Sequence, residues 1–273
     1  AILFGVDKET SGDISSVREN IGDYFTQNTP LLDTYTGAAA AYSLRKLRTA
    51  YTGDAIRVRR SSDNAETDIG FNVFGELDTV SLAAHCGSND GFVKTWYDQA
   101  SSNDATQTTT ANQPKIYDGT TGVVTKNAKP AANFDATDFM TNAYNFGTNF
   151  SAYAVASSED LSNATNLVFS EYVSGSSPLL AYVPRTLSGL TTAVGYSGDF
   201  AIGTGTPDTN QHLFVYRKNS TTISVRFDGN SAASNTTSET LTSGTFALGG
   251  AHNALGGSGL KSICEVPIYS LKK

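Results

Sequence analysis

Along much of this chain apolar and polar residues alternate with a period of two, and the alternation is broken at short intervals by Gly, Asn, Asp and Ser. Ala55-Ile56-Arg57-Val58-Arg59-Arg60 shows the pattern: it predicts a strand with its arginines on one face, followed by a turn at Ser61-Ser62-Asp63-Asn64. Similar runs predict strands at Ile69–Val73, Gly91–Tyr97, Lys115–Tyr117, Ala131–Phe134, Phe150–Ala156 and Leu167–Tyr172. Further ones fall at Leu179–Val183, Thr191–Tyr196, His212–Arg217, Thr222–Phe227, Gly244–Leu248 and Ser262–Tyr269. Many short strands between turn residues predict an all-β sandwich or barrel rather than alternating strand and helix. Only Leu31–Leu47 reads as helical: Ala38–Ala41 are good helix formers and Tyr42, Leu44 and Leu47 supply a packing stripe, which predicts a helix of about ten residues.

The first thirty residues read differently, as short apolar clusters among Asp, Glu, Ser and Asn that close at Asn28-Thr29-Pro30. They predict an extended arm with one short helical turn around Ser15–Ile21, an arm with too little apolar surface to fold alone and therefore packed on its own body or on a neighbouring subunit. Ser101–Asn112 is almost wholly polar and predicts an exposed loop over one edge of the sandwich. No Pro-rich or charged linker divides the rest, so residues 1–30 are expected to form an arm and residues 31–273 a single β-sandwich.

Composition sharpens this picture. The chain has 273 residues with 25 Gly, and only 16% are charged, below the usual fraction of about 25%. A net charge of −7 repels phosphate backbones, so nucleic acid is not expected as a partner. No apolar run is long enough to span a bilayer, and no basic segment followed by an apolar stretch marks a leader at the start. Cys86 and Cys264 could form one long-loop disulfide or stand as two thiols, and the three His fall at no metal-ligand spacing. Asp98, Asn103 and Asp104 are hard oxygen donors on one loop and could converge on calcium, although ordinary turn chemistry explains them equally; no other cofactor is expected.

Two sets of residues resemble known families. His212–Arg217, Thr222–Gly229, Phe246–Gly250 and Ile263–Tyr269 resemble the ending of laminin-G-like domains in the concanavalin A-like lectin and glucanase superfamily. That resemblance implies a two-sheet antiparallel jelly roll, with Asp228-Gly229 as a hairpin turn and the last strand returning to the sheet. Ala41–Arg45, Ile56–Asn64, Thr95-Trp96-Tyr97-Asp98-Gln99, Asp104–Gln107 and Gln113-Pro114 are similar to the catalytic domain of fungal α-L-arabinofuranosidase B. They look closer still to the arabinofuranosidase-like modules in structural proteins of bacteriophages and large algal viruses.

The resemblance also names the positions where chemistry would lie. Retaining glycosidases place two carboxyl groups about 5 to 5.5 Å apart, one a nucleophile and one an acid/base. The family's nucleophile is a Glu on a mid-domain strand, for which Glu171 is the candidate, and its acid is an Asp in a Gly-Asp-Asn-like segment. Here that segment reads Gly249-Gly250-Ala251-His252-Asn253, and the carboxylate position falls at or near His252, so the motif is broken. A strand-borne Glu beside Ser and Tyr is expected on a solvated outer face. Trp96, Tyr97, Asp98 and Gln99 could stack on and hydrogen-bond a sugar, or could be a buried aromatic whose polar neighbours cap the following loop. Arg57, Arg59 and Arg60 could bind an anionic glycan or pair with nearby acids.

Together these readings predict a non-catalytic structural protein on a virion surface, such as a fibre, spike or capsid-decorating protein. Residues 1–30 would contact other viral subunits, host glycan would be a further partner, and a homo-oligomer is expected. The alternatives are an α-L-arabinofuranosidase-type glycoside hydrolase and a secreted carbohydrate-binding module.

Overall fold

The computed structural model describes residues 29–135, 137–142, 149–161, 167–173, 176–182, 192–196, 199–203, 208–237, 245–250 and 261–270. The N-terminal arm, with the helical turn expected at Ser15–Ile21, lies outside the described residues.

A four-residue helix α1 (Leu31–Thr34) is followed by β1 (Ala40–Ser43), β2 (Ile56–Arg60) and β3 (Glu66–Ile69). Helix α2 (Thr79–Cys86) leads to β4 (Gly91–Trp96), β5 (Ala105–Thr106), a 3-10 turn at Thr110–Asn112, β6 (Lys115–Asp118) and β7 (Gly122–Val123). The short β8 (Thr125–Lys126), β9 (Lys129–Pro130), β10 (Ala132–Phe134) and β11 (Met140–Asn142) precede the long β12 (Phe150–Ser158). A meander of β13 (Leu167–Val173), β14 (Ser176–Tyr182), β15 (Thr192–Tyr196) and β16 (Asp199–Gly203) comes next. After it come β17 (His212–Asn219), β18 (Thr222–Phe227), β19 (Ala233–Thr236), β20 (Thr245–Leu248) and β21 (Lys261–Ser270).

The pairings of the named strands are antiparallel and build two layers. One runs β19–β18–β17–β12–β21, and the far edge of β21 pairs with β1 and then with β10. The other runs β16–β15–β14–β13–β20–β11–β5. Strand β4 joins them, pairing with β6 near its start, with β5 at its end and with β2 along its other edge. Between the layers, Phe169 meets Phe150 and Tyr216 edge-on, with ring centroids 6.5 and 5.2 Å apart, an arrangement the ring quadrupoles favour. Asp228 and Gly229 both have positive φ, 43° and 75°, and Asn230 N–H closes the turn onto Phe227 O, as the Asp-Gly pair predicts.

The helix expected over Leu31–Leu47 stops after four residues. Gly37, at φ 86°, turns the chain, and Ala40–Ser43 pair with Ile268–Glu265 of β21. Ala40 and Tyr42 face the main core while Ala41 packs with Leu32 and Leu47 on the opposite side, so β1 is buried on both faces. Long-range pairing overrides the helix propensity of alanine. The run expected as a strand at Ile69–Val73 ends at Ile69, and Asn72 Oδ1 instead caps a turn by accepting from Phe74 and Glu76 N–H. Helix α2 was not signalled by periodicity; Asp78 caps it, its carboxylate accepting from Val80 and Ser81 N–H, and Leu82 and Cys86 bury its inner face.

Ser101–Asn112 is not simply an exposed loop. It contains β5, and its buried Gln107 donates to Phe139 O and accepts from Thr109 N–H, stitching the joint between the layers. Cys86 and Cys264 are both thiols, and burial pushes the Cys86 thiol up to about 11. Arg57 forms a bidentate pair with Asp68, and Arg60 pairs with Asp63. Arg59 is buried against Gln113 and Asn64 with its guanidinium over the Phe92 ring.

Candidate active site

The Trp96-Tyr97-Asp98-Gln99 motif ends β4 and turns inward. Trp96 is fully buried with its ring edge-on to Tyr42, 6.5 Å between centroids, and no face is left for a sugar. The Asp98 carboxylate accepts four hydrogen bonds, from Ala41 N–H (2.7 Å), Ala100 N–H (2.9 Å), Ser101 Oγ (2.6 Å) and Asn103 N–H (3.1 Å). Gln99 accepts from Leu47 N–H and donates to Ser43 and Arg45 carbonyls. Both side chains thus brace the segment around β1, whose backbone groups would otherwise be buried unpaired. The glycan-binding role considered for Trp96, Asp98 and Gln99 is therefore corrected to a structural one. Tyr97 is half-buried and donates to Asp68 Oδ1; burial first, and then that bond, raise its phenol, while the Arg57 fork holds the Asp68 carboxyl low.

The calcium ligands considered at Asp98, Asn103 and Asp104 are also committed elsewhere. Asp98 spends both oxygens on four donors, Asp104 Oδ1 accepts from Asp98 N–H, and Asn103 Nδ2 donates to Ala39 O and Ser101 Oγ. Among the described residues no group of three His, Cys, Asp or Glu could hold a metal ion.

Glu171 is placed differently from expectation. It lies on β13 two residues beyond Phe169, on the same face, and is fully buried rather than solvated. Across the sheet it stands opposite Phe246 of β20, which in turn stands opposite Asn142 of β11, so Asn142, Phe246 and Glu171 form one row on the inner face. The Asn142 amide donates to the Tyr42 hydroxyl and, at 2.8 Å, to Asn103 O; the Tyr42 hydroxyl donates to the same carbonyl, and its ring stacks on Phe246 at 5.9 Å. A polar cluster of Asn142, Tyr42 and Asn103 therefore closes one end of this row, with Phe246 between it and Glu171. A buried carboxylate is costly to maintain, and such groups concentrate where chemistry needs them.

The far end of β20 is fixed onto the same strand. Gly249 N–H donates to Val168 O (2.7 Å), and Ser170 Oγ donates to Gly250 O (2.9 Å). Gly249 has φ 80°, and a Cβ there would collide with the Phe134 ring, so only glycine fits. The described chain thus reaches Gly250 hydrogen-bonded to the neighbour of Glu171. His252 lies outside the described residues.

Residues 31–166 match the family model for the catalytic domain of α-L-arabinofuranosidase B. The match stops short of Glu171. An arabinofuranosidase complexed with arabinofuranosyl-α-1,2-xylobiose superposes with a TM-score of 0.69 at 16% identity, covering 88% of this chain and 61% of that one. A GH54 α-L-arabinofuranosidase soaked with a cyclic sulfate inhibitor gives 0.68 at 15% identity, covering 88% and 60%. At this identity the likeness establishes the fold, and the chain spans about three-fifths of the length of these arabinofuranosidases. No curated protein matches the sequence. The virion, phage and tail-fibre assignment expected from the sequence is overturned: the family model matched over residues 31–166 is that of a glycosidase catalytic domain.

Proposed function

We propose that this chain is the catalytic portion of an α-L-arabinofuranosidase-type glycoside hydrolase in which Glu171 is the nucleophilic carboxylate. The observation that carries the reading is the full burial of Glu171 on the inner face of β13, opposite Phe246 of β20, the strand that runs on into the Gly249-Gly250-Ala251-His252-Asn253 segment where the acid/base is expected. In a retaining reaction Glu171 would attack the anomeric carbon and form a glycosyl ester while a second group protonates the leaving oxygen; water then releases arabinose. The segment Ala251-His252-Asn253 offers an imidazole for the proton, since protonated His is a competent general acid.

The absence of any carboxylate from residues 249–253 favours one second reading, a glycan-binding domain without turnover. Proton NMR of the protein with 4-nitrophenyl α-L-arabinofuranoside separates them. The hydrolase reading expects nitrophenol release and arabinose appearing first as the α-anomer. Saturable binding without release would replace it with the second reading.

A further inference from the structure

The face of the β4–β6–β10 sheet turned away from the core carries a second, unrelated feature. Arg59, Phe92, Lys115, Asn133, Ser262 and Ser157 are successive cross-strand partners from β2 through β4, β6, β10 and β21 to β12. Their strand neighbours Val58, Val93, Ile116, Ala132 and Phe134 point the other way into the core, so this row faces outward. Over its middle opens a cleft of about 790 Å³, floored by Phe92, Lys115 and Asn133 and flanked by Asp118, Asp135 and Asp138. Glu171 faces the core with Phe169, whereas the cleft opens on the outer face of this sheet, so Glu171 does not line it.

We propose that this cleft is a binding subsite for a neutral carbohydrate chain. Phe92 adds apolar surface to the floor, its ring carrying the Arg59 guanidinium 5.0 Å from the centroid, and the amide and carboxylate side chains around it are planar acceptors suited to sugar hydroxyls. Asn133 lines the cleft with an Oδ1 that accepts no hydrogen bond from the protein, so a turn of its side chain toward the opening would give this unpartnered acceptor a hydroxyl donor. The charges select against acidic ligands. Lys115 is held between Asp90 (2.8 Å) and Asp118 (3.3 Å), and the Arg59 guanidinium is turned to Gln113, Asn64 and Thr110 O, whereas three carboxylates border the opening. A uronic acid or phosphate would meet net negative charge; an uncharged chain would not.

The choice of probe, though not the site, rests on the hydrolase reading: arabinofuranosyl-substituted xylo-oligosaccharide, titrated into the Glu171→Gln protein with binding followed by calorimetry and amide chemical-shift mapping. Two variants in that background report on the cleft, Asn133→Ala at its floor and Thr121→Trp filling its exposed mouth without touching the core, each checked for an unchanged melting profile. The expected result is saturable binding with shifts centred on Phe92, Lys115 and Asn133, weakened at least about tenfold by both variants. No saturable binding, or binding that Thr121→Trp leaves intact, overturns the subsite. Because turnover is not the readout, a failed hydrolase assay leaves this test standing, and loss of the subsite leaves the hydrolase reading standing.

Discussion

Glu171 and Phe246 are direct cross-strand partners on the inner face of the β13–β20 pair, which places a carboxyl group beside an aromatic ring in the packed interior. Register alone does this: a slip of one residue would send Glu171 to the other face of the sheet and bring Ser170 inward. An interior carboxyl is not a stabilising choice when an amide of the same shape would avoid burying a charge. Glu171→Gln is therefore expected to fold normally, with a melting temperature within about 4 °C of the parent, the shift that roughly 1 to 2 kcal/mol produces in a domain of this size. Differential scanning calorimetry checks it; collapse of the fold would show that Glu171 is retained for structure.

Asp98 is predicted to be the opposite case. Its four accepted hydrogen bonds hold Ala41 N–H of β1 and the 100–103 loop, so removing the carboxylate strands several buried donors at once. Asp98→Ala is expected to cost about 2 to 4 kcal/mol in urea unfolding, with Asp98→Asn between the two. A neutral outcome would mean that the brace contributes nothing.

Trp96 fills the joint between the layers with no exposed surface. Trp96→Ala should lose about 3 to 5 kcal/mol through the cavity it leaves. If unfolding midpoints stay unchanged while carbohydrate binding falls, Trp96 is a ligand platform after all.

His212 sits between two carboxylates, Nε2 2.7 Å from Asp208 Oδ1 and Nδ1 2.5 Å from Asp228 Oδ2. Burial favours the neutral ring, but the two hydrogen-bonded carboxylates outweigh it and the imidazole is raised above its ordinary value near 6.5. The stabilisation from a raised imidazole is complete below the unfolded value and is lost as pH climbs through the folded one; Asp208, held low by His212, loses its share only in acid. An NMR titration of the His212 ring should give a midpoint above 6.5, and Asp208→Asn should lower it.

The strands were legible because alternation and turn residues are local: Asp228-Gly229 and the Arg57–Asp68 pairing follow from short-range pattern. What failed was decided at long range. Ala38–Ala41 read as helical, yet β1 is a strand because β21, at the other end of the chain, pairs with it. Helix α2 is too short for a clear period, although its Asp78 cap could have been found in Asp78-Thr79-Val80-Ser81. At the candidate site, Glu171 was visible as a residue, but its burial depends on a partner strand no local pattern names. The polar ends of the Trp96–Gln99 motif suit a brace as well as a sugar, and only their hydrogen-bond partners decide between the two.

The central claim is most directly tested by the initial rate of 4-nitrophenyl α-L-arabinofuranoside hydrolysis for the parent protein and for Glu171→Gln, compared at equal folded concentration. The hydrolase reading predicts measurable turnover that falls by at least about a hundredfold on substitution, the scale on which loss of a reacting carboxylate is felt. Turnover unchanged by Glu171→Gln, or absent from the parent, would contradict it.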